Sequence, residues 1–114
     1  MPNHSADLDN TFRALADPTR RAVIARLIHG PASVSELAEP FDMAMPSLMQ
    51  HLRVLEDGGL IRSAKHGRVR TCHIEPVQLQ RAQDWIASQR ALWESRLGRL
   101  DEYLKTAHSD GDVP

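Results

Sequence analysis

The chain has 114 residues, 41% hydrophobic and 25% charged, which suits one modest soluble domain and leaves no room for a large two-domain enzyme fold. Its 14 basic and 15 acidic residues give a formal net charge of -1, a total that by itself argues against a nucleic-acid binder. The one cysteine, Cys72, excludes an intrachain disulfide and an all-cysteine metal site, and no apolar run approaches the roughly 18–20 residues of a membrane span.

In chain order, the N-terminus has no apolar leader, so the expected location is the cytoplasm. Leu8, Phe12 and Leu15 recur at i, i+4 and i+7 and predict a short amphipathic helix. Asp17-Pro18 restarts the chain as N-cap and first helical residue of a second helix, with Val23, Ile24, Leu27 and Ile28 as its stripe and Gly30-Pro31 as its end. Ser33 and Glu36 have the spacing of a capping box and open a short third helix, stopped by Pro40. A fourth helix starts at Pro46, runs to Asp57 and ends at Gly58-Gly59. Residues 60–65 and 69–74 read as two strands joined by His66-Gly67, a register that pairs Lys65 with Arg68, Ser63 with Arg70 and Ile61 with Cys72. Pro76 opens a long helix reaching about Thr106.

The charge is unevenly spread. Residues 45–73 hold Arg53, Arg62, Lys65, Arg68 and Arg70 against Glu56 and Asp57, a surplus of three, whereas residues 1–17 and 74–114 are each acidic by two. The basic surplus coincides with the fourth helix and the hairpin. A short helix, a turn, a second helix and a basic hairpin make a winged helix-turn-helix, whose second helix can lie in the DNA major groove.

On that fourth helix, Met45, Leu48, Leu52 and Leu55 share a core face; Gln50, Arg53 and Asp57 lie opposite, with Ser47 and Met49 on the flanks. Gln50 is the first candidate for reading an adenine edge, and Arg53 for a phosphate. His51 lies beside the core stripe, where it either packs between helices or contacts bases. Lys65, His66, Arg68 and Arg70 on the wing and Ser35 on the third helix complete the expected double-stranded DNA surface.

The strings Leu15-Ala16-Asp17-Pro18-Thr19-Arg20-Arg21, Ser35-Glu36-Leu37-Ala38 and His51-Leu52-Arg53-Val54-Leu55-Glu56-Asp57-Gly58-Gly59-Leu60-Ile61 resemble the ArsR-type winged-helix repressors, and the resemblance covers about residues 8–104. It implies a homodimeric transcription regulator joined through its first and last helices, which here carry Leu8, Phe12, Leu15 and Trp85, Leu92, Trp93, Leu100. Ala44 and Met49 stand where that family often has serines. Family members that bind metal do so through cysteines on the third helix or Asp/His pairs on the last. Here the third helix has neither Cys nor His, and the only histidine near the last helix is His108, so no metal and no cofactor are expected.

The expected fold is therefore mainly α (α+β): about five helices with a two-stranded β-hairpin wing, over residues 1–108, followed by a disordered tail at 109–114. The expected function is sequence-specific DNA binding as a homodimeric repressor on a pseudo-palindromic operator, with no membrane partner. No residue pattern specifies a small-molecule effector. The alternative from another class is a winged-helix protein–protein module, favoured only by the apolar Ala44 and Met49. No nucleophile–base pair or glycine-rich phosphate loop points to an enzyme.

Overall fold

The computed structural model describes residues 4–112. Their order is α1 (His4–Leu15), α2 (Pro18–Leu27), β1 (Ala32–Ser33), α3 (Val34–Ala38), α4 (Met45–Asp57), β2 (Ile61–His66), β3 (Val69–Ile74) and α5 (Pro76–Asp112). The chain divides into two compact units within α5, one ending at Ala82 and the other starting at Gln83.

The first unit is a winged helix-turn-helix. Its helix starts follow local chemistry. Asp17, in extended backbone, accepts the Arg20 backbone N–H and caps α2, with Pro18 as the first helical residue. Ser33 and Glu36 form the reciprocal capping box of α3, with both hydrogen bonds at 3.1 Å. At the start of α4, Ala44 has the extended backbone of an N-cap but no side chain to accept a bond, and Pro46 sits in the first turn.

The five expected helices are present among the described residues, but the sheet has three strands where two were expected. β1 adds to the hairpin in the antiparallel order β1-β3-β2, with Ala32 opposite Cys72 and Ser33 opposite Thr71. Two residues are too few to show an alternating pattern, so only the partner strand reveals the pairing.

The hairpin register also differs from expectation. Lys65 lies opposite Arg70, His66 opposite Val69, Ser63 opposite Cys72 and Ile61 opposite Ile74, so the connecting residues are Gly67 and Arg68. Gly67 has φ +63°, and among the described residues no non-glycine residue has positive φ. A loop of His66-Gly67 would place histidine at the first central position, where the primed hairpin turns need positive φ; moving the turn by one residue gives that position to glycine.

Aliphatic residues fill the core: Val23 and Leu27 of α2, Leu37 of α3, Leu48, Leu52 and Leu55 of α4, then Leu60, Ile61 and Cys72. Met45, expected in the same stripe, is instead 45% exposed. It is the first residue of α4 and lies beyond the end of the core, which Leu48 closes; Met49 packs against the cluster instead.

The C-terminus of α4 is a full Schellman motif. The Leu60 N–H reaches the Leu55 carbonyl at 3.0 Å and the Gly59 N–H that of Glu56 at 2.9 Å, while Gly59 has φ +72°. A side chain on Gly58 would meet the Asn10 carbonyl oxygen of α1 at 2.9 Å, so the close approach of α1 requires glycine there. Beside it, the fully buried Thr11 hydroxyl donates to the Gly58 carbonyl at 2.8 Å, with the Asp7 carbonyl also near at 3.0 Å, and accepts the Gln78 side-chain amide at 3.2 Å.

The second unit is the continuation of α5. Leu92, Trp93, Leu97, Leu100, Tyr103 and Leu104 are all exposed on it. The tail expected over residues 109–114 is helical as far as Asp112, and residues 113–114 lie outside those described.

The empty cap of α4 gives a direct test. Replacing Ala44→Ser supplies the missing acceptor in backbone already suited to it, and should raise unfolding stability in urea by about 1 kcal/mol.

Candidate nucleic-acid interface

The core stripe of α4 orients the rest of the helix. With Leu48, Leu52 and Leu55 buried, Ser47, Gln50, Arg53 and Asp57 are exposed. A groove runs between the starts of α3 and α4 and the wing. It is lined by Ser33, Val34, Ser35, Met45, Met49, Lys65, Arg68, Val69 and Arg70. Five of the ten DNA-contact residues expected from the sequence (Ser35, Met49, Lys65, Arg68 and Arg70) thus meet on one surface. Gln50 and Arg53 stand on the exposed side of α4, and His66 is exposed at the wing's end.

The electrostatics of this surface are one-sided. Among the described residues, Arg53, Lys65, Arg68 and Arg70 have no carboxylate within 4.0 Å, whereas the flanking Arg26 and Arg62 pair with Glu36 and Glu75. Lys65 and Arg70 face each other across the hairpin, an arrangement of like charges that costs stability unless an anion lies between or over them. The Arg70 guanidinium donates to the Ser63 hydroxyl at 3.0 Å, and one oxygen of Glu56 accepts both the Ser63 hydroxyl, at 2.8 Å, and the Ser63 backbone N–H, at 3.0 Å. Beneath this chain of bonds, burial pushes the Cys72 thiol up from its ordinary pKa; the Glu56 charge adds to the shift and Arg70 opposes it. The thiol is buried and protonated, a packing group.

His51 lies against α2. Its Nδ1 lies 3.1 Å from Nη1 of Arg20 and 3.8 Å from the Asp17 carboxylate. A guanidinium only donates, so Nδ1 is the acceptor of this bond. The same Arg20 donates from Nε to the Ala14 carbonyl at 2.7 Å and from Nη2 to that of Arg13 at 3.1 Å, while Arg21 reaches Leu15 at 2.8 Å. The last carbonyls of α1, which have no partner within their own helix, are thereby capped by two cations from α2.

Comparison with known proteins agrees with this geometry. A helix-turn-helix domain family matches residues 15–64. The HTH-type transcriptional regulator Rv2034 of Mycobacterium tuberculosis is 41% identical over 71 residues, 62% of this chain and 66% of that protein. The transcriptional repressor SdpR of Bacillus subtilis is 29% identical over 79 residues, 69% of this chain and 88% of that one. A crystallised ArsR family transcriptional regulator is 57% identical, covers 83% of this chain and 98% of its own, and superposes with a TM-score of 0.78. The chain belongs to the ArsR family. An ArsR-like regulator from Rhodococcus shares the fold at 27% identity and a TM-score of 0.75, with 87% and 93% of the two chains covered.

ArsR membership makes the chain a DNA-binding helix-turn-helix transcriptional regulator and not an enzyme. Among the described residues no group of three or more His, Cys, Asp or Glu is gathered as a metal site requires, and no helix is long and apolar enough to cross a membrane. Sequence reasoning missed three groups that tie these elements together: Arg20, Glu56 and Ser63. Arg20 belongs to the Asp17–Arg21 string that carries the family resemblance, but its partners come from α1 and α4, which no local spacing reveals. Glu56 and Ser63 are seven residues apart across a helix end and a strand start, so only the path through Gly58-Gly59 brings them together.

Asp17 provides a pH test of the α1–α2–α4 junction. Partial burial opposes its ionisation, but the Arg20 N–H bond and the nearby His51 and Arg20 outweigh that and hold its carboxyl below the ordinary aspartate range. A depressed folded pKa means that the carboxylate's stabilisation is complete above the unfolded value, about 4, and is lost as pH falls through the lower folded value. Asp17→Asn keeps a competent N-cap and removes the charge. The wild type should be the more stable in urea at neutral pH, and the difference should disappear in acid.

Proposed function

We propose that the chain is a cytoplasmic, homodimeric repressor that occupies a pseudo-palindromic operator and so excludes polymerase from a promoter. The observation that carries this reading is the groove between α3, α4 and the wing, whose cations have no acidic partner among the described residues. In this reading Gln50 and Met49 face base edges, with Ser35 and Ser47 near the backbone. Arg53, Lys65, His66, Arg68 and Arg70 serve phosphates. His51 acts through its hold on Arg20, which sets the position of α4.

Dimerisation is supported by the exposure of Leu92, Trp93, Leu97 and Leu100, a density of apolar surface that single soluble chains rarely leave to water. The dimer contacts proposed are Leu8, Phe12 and Leu15 of α1 and, as a separate patch, Trp85, Leu92, Trp93 and Leu100 of α5. Two-fold symmetry would then set half-sites about 34 Å apart.

The test is selection of duplexes from a randomised library, followed by fluorescence anisotropy across a salt series. Affinity should fall steeply with salt, and Lys65→Ala or Arg68→Ala should each reduce the slope by about 1. Binding that is insensitive to salt, with wing variants unchanged, would sink the repressor reading. Trp93→Glu should shift sedimentation toward the monomer and weaken binding to two-half-site duplexes more than to single half-sites.

A further inference from the structure

The bonds joining α4 to the wing rest on a residue of the wrong charge for a DNA-facing surface. Glu56 is exposed in the last turn of α4, beside Arg53 and Arg70 around one small cavity. An isolated carboxylate there would repel phosphates and weaken binding. Its geometry shows a different use. β2 is the outer strand of the sheet, and the Ser63 N–H points away from β3 to the Glu56 carboxylate. The same oxygen takes the Ser63 hydroxyl proton, which leaves the hydroxyl oxygen to accept from Arg70 on β3. Three side chains therefore run from the reading helix, across the edge strand, to a wing cation.

We propose that Glu56 is a positioning residue for DNA binding: through Ser63 it locks the wing against α4 and presets Arg70 for phosphate. This rests on the DNA-binding reading above. Without the strap, the outer strand keeps its apolar anchor at Ile61 but loses this polar tie to α4, and Arg70 must be ordered at the moment of binding, against the repulsion of Lys65. The two roles of Glu56, charge and acceptor, act on affinity with opposite signs, which makes the proposal sharp. If Glu56 contributes only charge, removing it strengthens binding. If it positions the wing, removing it weakens binding even though the surface becomes more basic.

The experiment measures anisotropy of the full-length wild type, Glu56→Ala, Glu56→Gln, Ser63→Ala, Arg70→Ala and the Glu56→Ala/Arg70→Ala double variant on one duplex selected by the wild type and on one random duplex. Glu56→Ala should weaken binding to the selected duplex about tenfold, the worth of a lost charge-assisted hydrogen bond. Glu56→Gln keeps an acceptor oxygen and drops the charge, so it should bind at least as tightly as the wild type. Ser63→Ala should fall between the wild type and Glu56→Ala. In the Arg70→Ala background the Glu56→Ala loss should shrink markedly, because the effect passes through Arg70; a general loss of fold stability would not show that coupling. Amide exchange at Ser63 should quicken in Glu56→Ala with the melting curve little moved. Glu56→Ala binding as tightly as the wild type or tighter, or a loss unchanged in the Arg70→Ala background, overturns the proposal while leaving the DNA-binding reading intact. Absence of any salt-dependent binding by the wild type overturns both.

Discussion

The end of α4 at Gly58-Gly59 is the constraint on which the rest of the first unit depends. The Schellman turn closes the helix and sends Leu60 and Ile61 straight into the core, so strand β2 starts from a fixed point beside the helix it must accompany. The missing side chain at Gly58 lets α1 approach until Thr11 bonds its carbonyl, and Gln78 of α5 completes that bond pair. Three elements meet at one buried hydroxyl. A buried hydroxyl with every partner in place rigidifies its surroundings, whereas one left unpaired costs about 1–3 kcal/mol. The angle between α4 and its supports is therefore held by polar geometry as well as apolar packing.

From that junction the surface chemistry follows. Apolar packing turns Leu48, Leu52 and Leu55 inward and leaves Gln50 and Arg53 outward. The wing, anchored at Ile61, carries its cations next to the starts of α3 and α4. Acidic residues of this region serve structural bonds: Glu36 closes a capping box and Glu75 holds Arg62, while Glu56 holds Ser63. Among the described residues the cations of the groove have no acidic partner, which is how a chain of net charge -1 presents a basic face. The total charge misleads because it averages that face with acidic terminal segments.

Much of the fold was legible in the sequence because its signals are local. Asp17-Pro18, Ser33 with Glu36, and Gly58-Gly59 are chemical punctuation that acts within one turn of chain, and each marks the boundary expected of it. The wing register was legible only to within a residue. His66-Gly67-Arg68 offers two loops of equal length, and the choice between them rests on which position needs positive φ. β1 escaped notice because a two-residue strand has no pattern of its own. Met45 was misplaced because helical periodicity knows the face of a residue but not where the core ends along the axis. Of the candidate site, the exposed residue types on α4 and the wing could be named from pattern and charge. The partners that orient them, Arg20 for His51 and Glu56 for Ser63 and Arg70, could not.

By itself, then, the amino-acid sequence determined the helix starts and stops, the buried stripe of α4, the basic segment and the family resemblance, because caps, periodicity and charge act over a few neighbouring residues. Only the tertiary structure decided the third strand, the turn at Gly67-Arg68, the Thr11 junction, the capping of α1 by Arg20 and Arg21, and the strap from Glu56 to Arg70. Each of these joins residues from different elements, and their distances are set by how aliphatic surfaces pack, which no spacing along the chain records.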